Sequence, residues 1–338
     1  MKTATPAMAR VINDRLALDL LLERGPLTAP QLRTLTGLSR PTVSDLLERL
    51  MEGGLVRVTG EYGEDRRGPN ARLYGLVPDR AHVAGVDLRR HAVTAVVADI
   101  TGRVAGEATK TIRGELDGLV ERTIRDAAGG RALDTVVIGA PGLVDPRTGE
   151  LVGVSDVPGW RPGLMGRVRQ RLGVPVVLEN EVNLAAVAEL RTGSAAGSED
   201  FVLMWLDDGI GAAVVLGGQV RRGVSGGAGE VGMLEVDGTE FCQLVSPDVM
   251  AGLDRAELAA RIAKGAAVTV SILDPGLVVL GGRVGHQGGD ELARLVAERL
   301  GALAPAPTEV RASTVEGNAV LQGAVLTALD LARDHIYG

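Results

Sequence analysis

Apolar residues recur at helical spacing over the first fifty positions and then give way to strand-like runs. Ile12, Leu16 and Leu20 stand at i, i+4 and i+8 beside Leu18, Leu21 and Leu22, while Val43, Leu46, Leu47 and Leu50 stand at i, i+3, i+4 and i+7. The spacing predicts three short helices over 10–24, 28–36 and 40–52, each burying one stripe. Gly25–Pro26 ends the first, Thr28 can cap the second, Gly37 parts the second from the third, and Ser39 is an N-cap with Pro41 in the following turn. That order is a helix-turn-helix. After Gly53–Gly54, the runs Leu55-Val56-Arg57-Val58 and Ala71-Arg72-Leu73-Tyr74 read as two strands joined by a turn over 61–70, which makes a wing.

From about residue 80 the pattern is one of buried strands. His82–Asp87 and Ala92–Asp99 flank a short turn, a third strand follows from Arg103, a helix spans about 115–129, and Thr135–Gly139 is a further buried strand. The order then returns with Phe201–Asp208, a Gly209-Ile210-Gly211 turn, Ala212–Leu216, a strand from Gln219 and Leu277–Gly282. An internal duplication on this scale predicts two similar α/β lobes with a ligand-sized cleft between them. The expected division is a winged helix over 1–78 and a two-lobed domain over 79–338, with the lobe boundary near 190–200.

Charge sharpens this division. The chain of 338 residues has net charge −7, yet residues 1–77 hold eleven Lys/Arg against nine Asp/Glu, or +2, which leaves −9 for the rest. The N-terminal unit is therefore the candidate for meeting a polyanion. Ser39, Arg40, Thr42 and Ser44 form the polar start that a recognition helix offers to base edges and phosphates, with Arg66 and Arg67 in the wing turn and Arg72 on its second strand. The same elements also suit a dimerisation module, with Arg66 and Arg67 in a solvated turn. Aromatic residues make up 2%, too few for a stacking surface for single strands. A single cysteine, Cys242, permits no internal disulfide, and with four histidines it leaves no Cys-rich zinc site. No apolar run is long enough to cross a bilayer, and charges interrupt residues 1–15 where a signal peptide needs an apolar segment, so a cytoplasmic location and no membrane partner are expected.

Four blocks in the long C-terminal part resemble the ROK family (repressors, open reading frames and sugar kinases) of the actin/hexokinase-like, ribonuclease H-like superfold. They are Gly139-Ala140-Pro141-Gly142-Leu143-Val144-Asp145, Leu178-Glu179-Asn180-Glu181-Val182-Asn183, Gly209-Ile210-Gly211 through Gly226-Gly227-Ala228-Gly229-Glu230-Val231-Gly232, and Leu273-Asp274-Pro275 to Gly281-Gly282. A winged helix in front is what the repressor branch of that family carries. The resemblance implies an α/β, two-lobed domain behind a winged helix-turn-helix.

The chain departs from the kinase pattern at four places. Kinase members begin with Asp-x-Gly-Gly-Thr, whose bare backbone N–H groups cradle ATP phosphates; here the turn is Asp87-Leu88-Arg89-Arg90-His91. Arg89 and Arg90 either hold an anionic effector or lie in a solvated turn. The family's Glu-Asn-Asp-x-Asn, whose Asp is the general base, reads Glu179-Asn180-Glu181-Val182-Asn183, moving the carboxylate one methylene outward. Asn180 and Glu181 either accept from a sugar hydroxyl or cap the next helix. The family's zinc histidine and cysteines are represented by Met233 and Cys242 alone, so neither zinc nor any other cofactor is expected, and Cys242 reads as a small buried hydrophobe. Between Met250 and Asp274 there are 23 residues, where kinase members carry more helical chain.

These losses point to a regulator and not an enzyme: a homodimeric, or higher-order, repressor of carbohydrate genes that binds a double-stranded operator. Its effector would be a sugar, sugar phosphate or sugar acid, held by Gly142, Asn180, Glu181 and Glu230 with Arg89 and Arg90. A ligand-independent regulator and an active ATP-dependent sugar kinase are the competing readings.

Overall fold

The computed structural model describes residues 6–62, 71–153, 157–304 and 306–337. The N-terminal unit runs α1 (Pro6–Arg24), β1 (Leu27–Thr28), α2 (Ala29–Thr36), α3 (Arg40–Glu52), β2 (Val56–Tyr62) and β3 (Ala71–Leu76), with β3 antiparallel to both β1 and β2. Local chemistry sets the helix ends. Thr28 and Gln31 form a reciprocal capping box at the start of α2, and Gly37 closes that helix in the left-handed region at φ 71°. Ser39 caps α3 by accepting from the Thr42 amide. Val43, Leu46, Leu47 and Leu50 are buried as expected, against Ala17, Leu18, Leu21 and Leu32. In α1 the buried stripe is Ala17, Leu18 and Leu21, whereas Ile12 and Leu16 are 57% and 40% exposed. Two faces of α1 carry apolar residues, and only the packing partner selects between them.

The first lobe comprises β4 (His82–Leu88), β5 (Ala92–Asp99), β6 (Val104–Thr111), α4 (Leu116–Ala128), β7 (Thr135–Ala140), a small hairpin of β8 (Val144–Asp145) and β9 (Glu150–Leu151), α5 (Leu164–Leu172), β10 (Val176–Asn180) and α6 (Glu181–Thr192). The second comprises β11 (Phe201–Leu206), β12 (Ile210–Leu216), β13 (Gln219–Val220), a hairpin of β14 (Glu235–Val236) and β15 (Thr239–Glu240), the single turns α7 (Phe241–Leu244) and α8 (Pro247–Met250), α9 (Arg255–Leu273), β16 (Leu277–Gly281), α10 (Gly282–Leu303) and β17 (Glu309–Ala312). A last helix, α11 (Ala319–Tyr337), follows.

The sheets have orders β10-β7-β4-β5-β6 and β13-β12-β11-β16-β17. From the central strands β4 and β11, each sheet continues through two antiparallel pairings on one side and two parallel pairings on the other, the duplication read in the sequence. Strand alternation sorts the side chains into layers. Phe201, Leu203 and Trp205 face inward to α6 and α11, while Val202, Met204 and Leu206 face outward to α9 and α10. The outer face of the first sheet is covered by α4 and α5. Thus α6 and α11 lie between the sheets and share one core with both. They meet at backbone range, since a Cβ on Gly323 would stand 1.8 Å from the Leu184 carbonyl oxygen. Although α11 is last in the chain, it packs beside the first sheet, and its final residues Ile336 and Tyr337 reach the core of the N-terminal unit.

Candidate functional site

The cleft between the lobes is floored by the turns that follow the two central strands. Arg89, just beyond β4, donates through Nε to Asp87 Oδ2 at 2.7 Å and reaches Asp207 Oδ2 with Nη1 at 3.5 Å. Asp207 follows β11, so this guanidinium joins the lobes. Arg283 Nε lies 3.8 Å from the other oxygen of Asp207, and Asn318 Nδ2 donates to Asp87 at 2.7 Å. A second bridge runs from Arg222 Nε to the buried Glu179 Oε2 at 2.6 Å, and Glu179 also accepts from the Asn180 amide and Asn183 Nδ2, each at 2.9 Å. Near it the lobes touch at backbone range, because a Cβ on Gly226 would stand 2.0 Å from the Val144 carbonyl oxygen.

Arg89, Trp205, Asp207 and Asp208 border two spaces. One, of about 80 Å³, is lined further by Arg90, Pro141, Glu181 and Gly209; the other, of about 530 Å³, is lined further by Gly282, Arg283, His286, Ser313 and Asn318. Small-molecule sites occupy roughly 300–1,000 Å³, so only the second has ligand dimensions in this state.

The residues picked from the sequence divide accordingly. Glu181, Arg89 and Arg90 share the small cavity. Asn180 caps α6, its Oδ1 accepting from the Val182 and Asn183 amides at 2.8 and 3.1 Å. Its Nδ2 donates to the Gly142 carbonyl at 3.0 Å and to Glu181 Oε2 at 2.9 Å, which binds Gly142, Asn180 and Glu181 into one knot of hydrogen bonds. Burial pushes the Glu181 carboxyl up to about 8, with the negative charges of Glu230 and Asp87 adding to the effect and Arg89 opposing it. At neutral pH it is mostly protonated, the wrong state for a general base. Glu230 lines neither space, though its charge reaches Glu181, and its own carboxyl is raised by desolvation. The spacing did not single out Asp207, Asp208, Arg222, Arg283 or Asn318. Laying the two repeats over one another would have flagged Asp207, which occupies in the second repeat the turn that Arg89 occupies in the first.

The residues present fit neither of the family's inorganic or nucleotide groups. Met233 is 70% exposed, and Cys242 is only partly buried, its Sγ 3.8 Å from Glu240 Oε2. The expected inward position of Cys242 belongs to Phe241, whose ring fills the space beside Gly265. Among the described residues no group of three or more His, Cys, Asp or Glu is placed to hold a metal. Where the family's glycines would cradle phosphates, the paired Arg89 fills the turn.

On the N-terminal unit, Arg40 and Ser44 are exposed on α3, and Thr42 is held by a 2.8 Å hydroxyl contact with the capping Ser39. Arg40 and Ser44 line a concavity of about 590 Å³ with Arg33 of α2, over an apolar floor that includes Val43 and Leu47. Arg33 is a basic side chain that the sequence reading did not select. Arg49 is turned away, tied to Asp14 of α1 at 2.5 and 3.3 Å. Arg72 is exposed on β3, opposite Glu61 of β2. Arg66 and Arg67 lie outside the described residues. Among the described residues no helix is long and apolar enough to cross a membrane.

Comparison with known proteins adds kinship to this geometry. Residues 83–243 match the model described as the ROK family, and residues 13–68 match that described as the MarR family. The putative xylose repressor of Caldicellulosiruptor sp. (strain Rt8B.4) is 27% identical over 241 residues, which are 68% of this chain and 60% of that protein. The DNA-binding transcriptional dual regulator NagC of Escherichia coli (strain K12) is 23% identical over 68% of this chain and 59% of its own length. The chain thus spans about three fifths of these curated relatives. A crystal structure of a ROK family transcriptional regulator, described as a homolog of the E. coli MLC protein, superposes with TM-score 0.75 over 97% of this chain and 99% of that one at 16% identity, which shows the shared fold. The ROK hexokinase of Thermus thermophilus superposes with TM-score 0.62 over 75% of this chain and 100% of its own, at 26% identity.

Proposed function

The chain carries a ROK-family domain behind a MarR-type winged helix, and from that premise we propose that it is a DNA-binding transcriptional regulator, a repressor of carbohydrate genes acting in the cytoplasm. One observation carries the reading: the start of α3 is capped by Ser39, leaves Arg40 and Ser44 in solvent, and belongs to a helix whose opposite face is buried in the three-helix core. In this reading residues 1–78 bind duplex DNA through Ser39, Arg40, Thr42, Ser44 and Arg72, with Arg66 and Arg67 on the wing. Arg33 adds a phosphate contact beside Arg40. The two-lobed domain, 79–338, pairs two copies on a palindromic operator and senses an effector without phosphorylating it.

The effector is a sugar, sugar phosphate or sugar acid held at Gly142, Asn180, Glu181 and Glu230, with Arg89 and Arg90 taking an acidic group. The space beside Glu181 is too small for a pyranose ring, so such a ligand enters only as the Arg89–Asp207 pair parts. A ligand-independent regulator is the second reading, favoured by the small size of that space. The filled phosphate turn and the protonated Glu181 oppose phosphoryl transfer, and ATP-dependent turnover of a common hexose in a coupled assay would overturn that part.

The decisive experiment is a genome-wide footprint followed by titration of the recovered operator. Replacing Arg40 with Ala should relax discrimination at one base position by about 1–3 kcal/mol, whereas Arg66→Ala and Arg67→Ala should each reduce the salt slope by about 1. A triple variant that binds operator as tightly as wild type would refute the placement. Thermal shift with sugars, sugar phosphates and sugar acids separates sensing from ligand independence, since a ligand at 100 times its Kd stabilises by about 2.7 kcal/mol.

A further inference from the structure

α11 begins in the interlobe cleft and ends in the winged helix. At its start the Asn318 side chain accepts from the Leu321 amide at 3.0 Å and donates to Asp87 at 2.7 Å, the same carboxylate that Arg89 holds. At its far end Ile336 and Tyr337 pack with Leu18, Leu21 and Leu47 in the N-terminal core, and Asp334 pairs with Arg15 of α1 at 2.5 Å. The 19 residues of the helix, at about 1.5 Å each, set these two attachments about 28 Å apart.

The middle of α11 has no slack. Gly323 abuts the Leu184 backbone of α6, and a Cβ on Gly85 of β4 would stand 2.6 Å from the Val325 amide nitrogen. A close-packed helix clamped in this way answers a movement at one end as a rigid body and does not absorb it locally. Its seat in the winged helix is apolar with one polar end. The Tyr337 hydroxyl is buried there beside Arg333 of the same helix, and burial raises its pKa.

From these attachments we infer that α11 is the strut that carries the state of the interlobe latch to the winged helix. While Arg89 spans Asp87 and Asp207, the start of α11 is tied through Asn318 to both lobes. When an anionic group of an effector takes Arg89 from Asp207, the tie to the second lobe is broken while Asn318 still holds Asp87, α11 moves together with α6 relative to the second lobe, and the seat of Tyr337 beside α1 and α3 changes. The coupling deepens the regulator reading and rests on it for its biological use, although the mechanical link itself can be measured without DNA or ligand.

The test is amide hydrogen exchange on the full chain, comparing wild type with Asp207→Asn, Asn318→Ala, Arg15→Ala and the Asp207→Asn/Arg15→Ala double variant. Opening the latch with Asp207→Asn should speed exchange in the α3 segment Val43–Leu50 by about fivefold, the low end of ordinary coupling between sites. Asn318→Ala should do the same from the α11 side, and it carries the test if Asp207→Asn does not fold. With one far-end attachment removed by Arg15→Ala, adding Asp207→Asn should change α3 by less than it does in the wild-type background. Exchange altered only around the cleft, or a double variant whose effects simply add, would overturn the strut. Operator binding measured in parallel separates the two claims: a responsive α3 in a chain that binds no duplex DNA sinks the regulator reading and leaves the strut, and the converse sinks the strut alone.

Discussion

Equivalent places in the two sheets carry opposite charge. Each central strand, β4 and β11, turns back into an antiparallel neighbour at the cleft, and the first turn presents Arg89-Arg90-His91 where the second presents Asp207-Asp208-Gly209. The repeated topology brings these turns face to face. A cleft of this shape built for phosphates would offer bare backbone N–H groups on both sides, but here a guanidinium spans to the opposite carboxylate. The difference teaches that duplication supplies the geometry, and a few turn residues decide whether a ligand or the protein itself bridges the lobes. It also shows two ways of neutralising carboxylates crowded into one cleft. Asp87 and Asp207 share Arg89, while Glu181 keeps a proton.

The largest effect is expected from reversing the charge on the first turn. Arg89→Asp would set a fourth carboxylate against Asp87, Asp207 and Asp208, and should cost about 2–3 kcal/mol in urea unfolding at pH 7, below the ~3–5 kcal/mol of a fully buried pair because 39% of the Arg89 side chain is exposed. Adding Asp207→Arg should restore much of the loss. An unchanged midpoint in Arg89→Asp, or no rescue in the double variant, would break the comparison.

Removing the other bridge is a milder intervention. Arg222→Ala deprives Glu179, whose side chain is 8% exposed, of its charged partner but leaves two N–H donors on the carboxylate. The expected loss is about 1–2 kcal/mol by the same unfolding assay. A variant as stable as wild type would mean that the Arg89 turn holds the lobes without this support.

The third effect depends on pH and sharpens the account of Glu181. Its folded carboxyl titrates at about 8, above its ordinary value of 4.5, so the folded state binds more protons than the unfolded state between those limits. Its contribution to stability is therefore complete below about pH 4.5 and is lost as pH rises through about 8. Glu181→Gln, which never ionises, should gain stability relative to wild type as pH rises from 5 to 8, with the gap shrinking towards pH 5. A gap that stays constant across that range would show that Glu181 is not the protonated member of the cluster.

The sequence by itself determined the elements whose causes lie within a turn or two of chain. Thr28 with Gln31, Gly37 and Ser39 set the ends of α2 and α3, and the stripe of Val43, Leu46, Leu47 and Leu50 faces the core as the periodicity requires. The repeated strand order was visible for the same reason, since buried strands on both faces read as apolar runs wherever they occur. Tertiary structure decided the rest. It chose Ala17, Leu18 and Leu21 over Ile12 and Leu16 as the buried face of α1, turned Phe241 inward in place of Cys242, and engaged Asn180 as a helix cap tied to Gly142. It gave Arg89 a partner 118 positions away and returned α11 from the end of the chain to the first sheet and the winged helix. Caps and periodicities act between neighbours along the chain, whereas a salt bridge between lobes exists only once two sheets and the helices between them have packed. No local pattern encodes that distance.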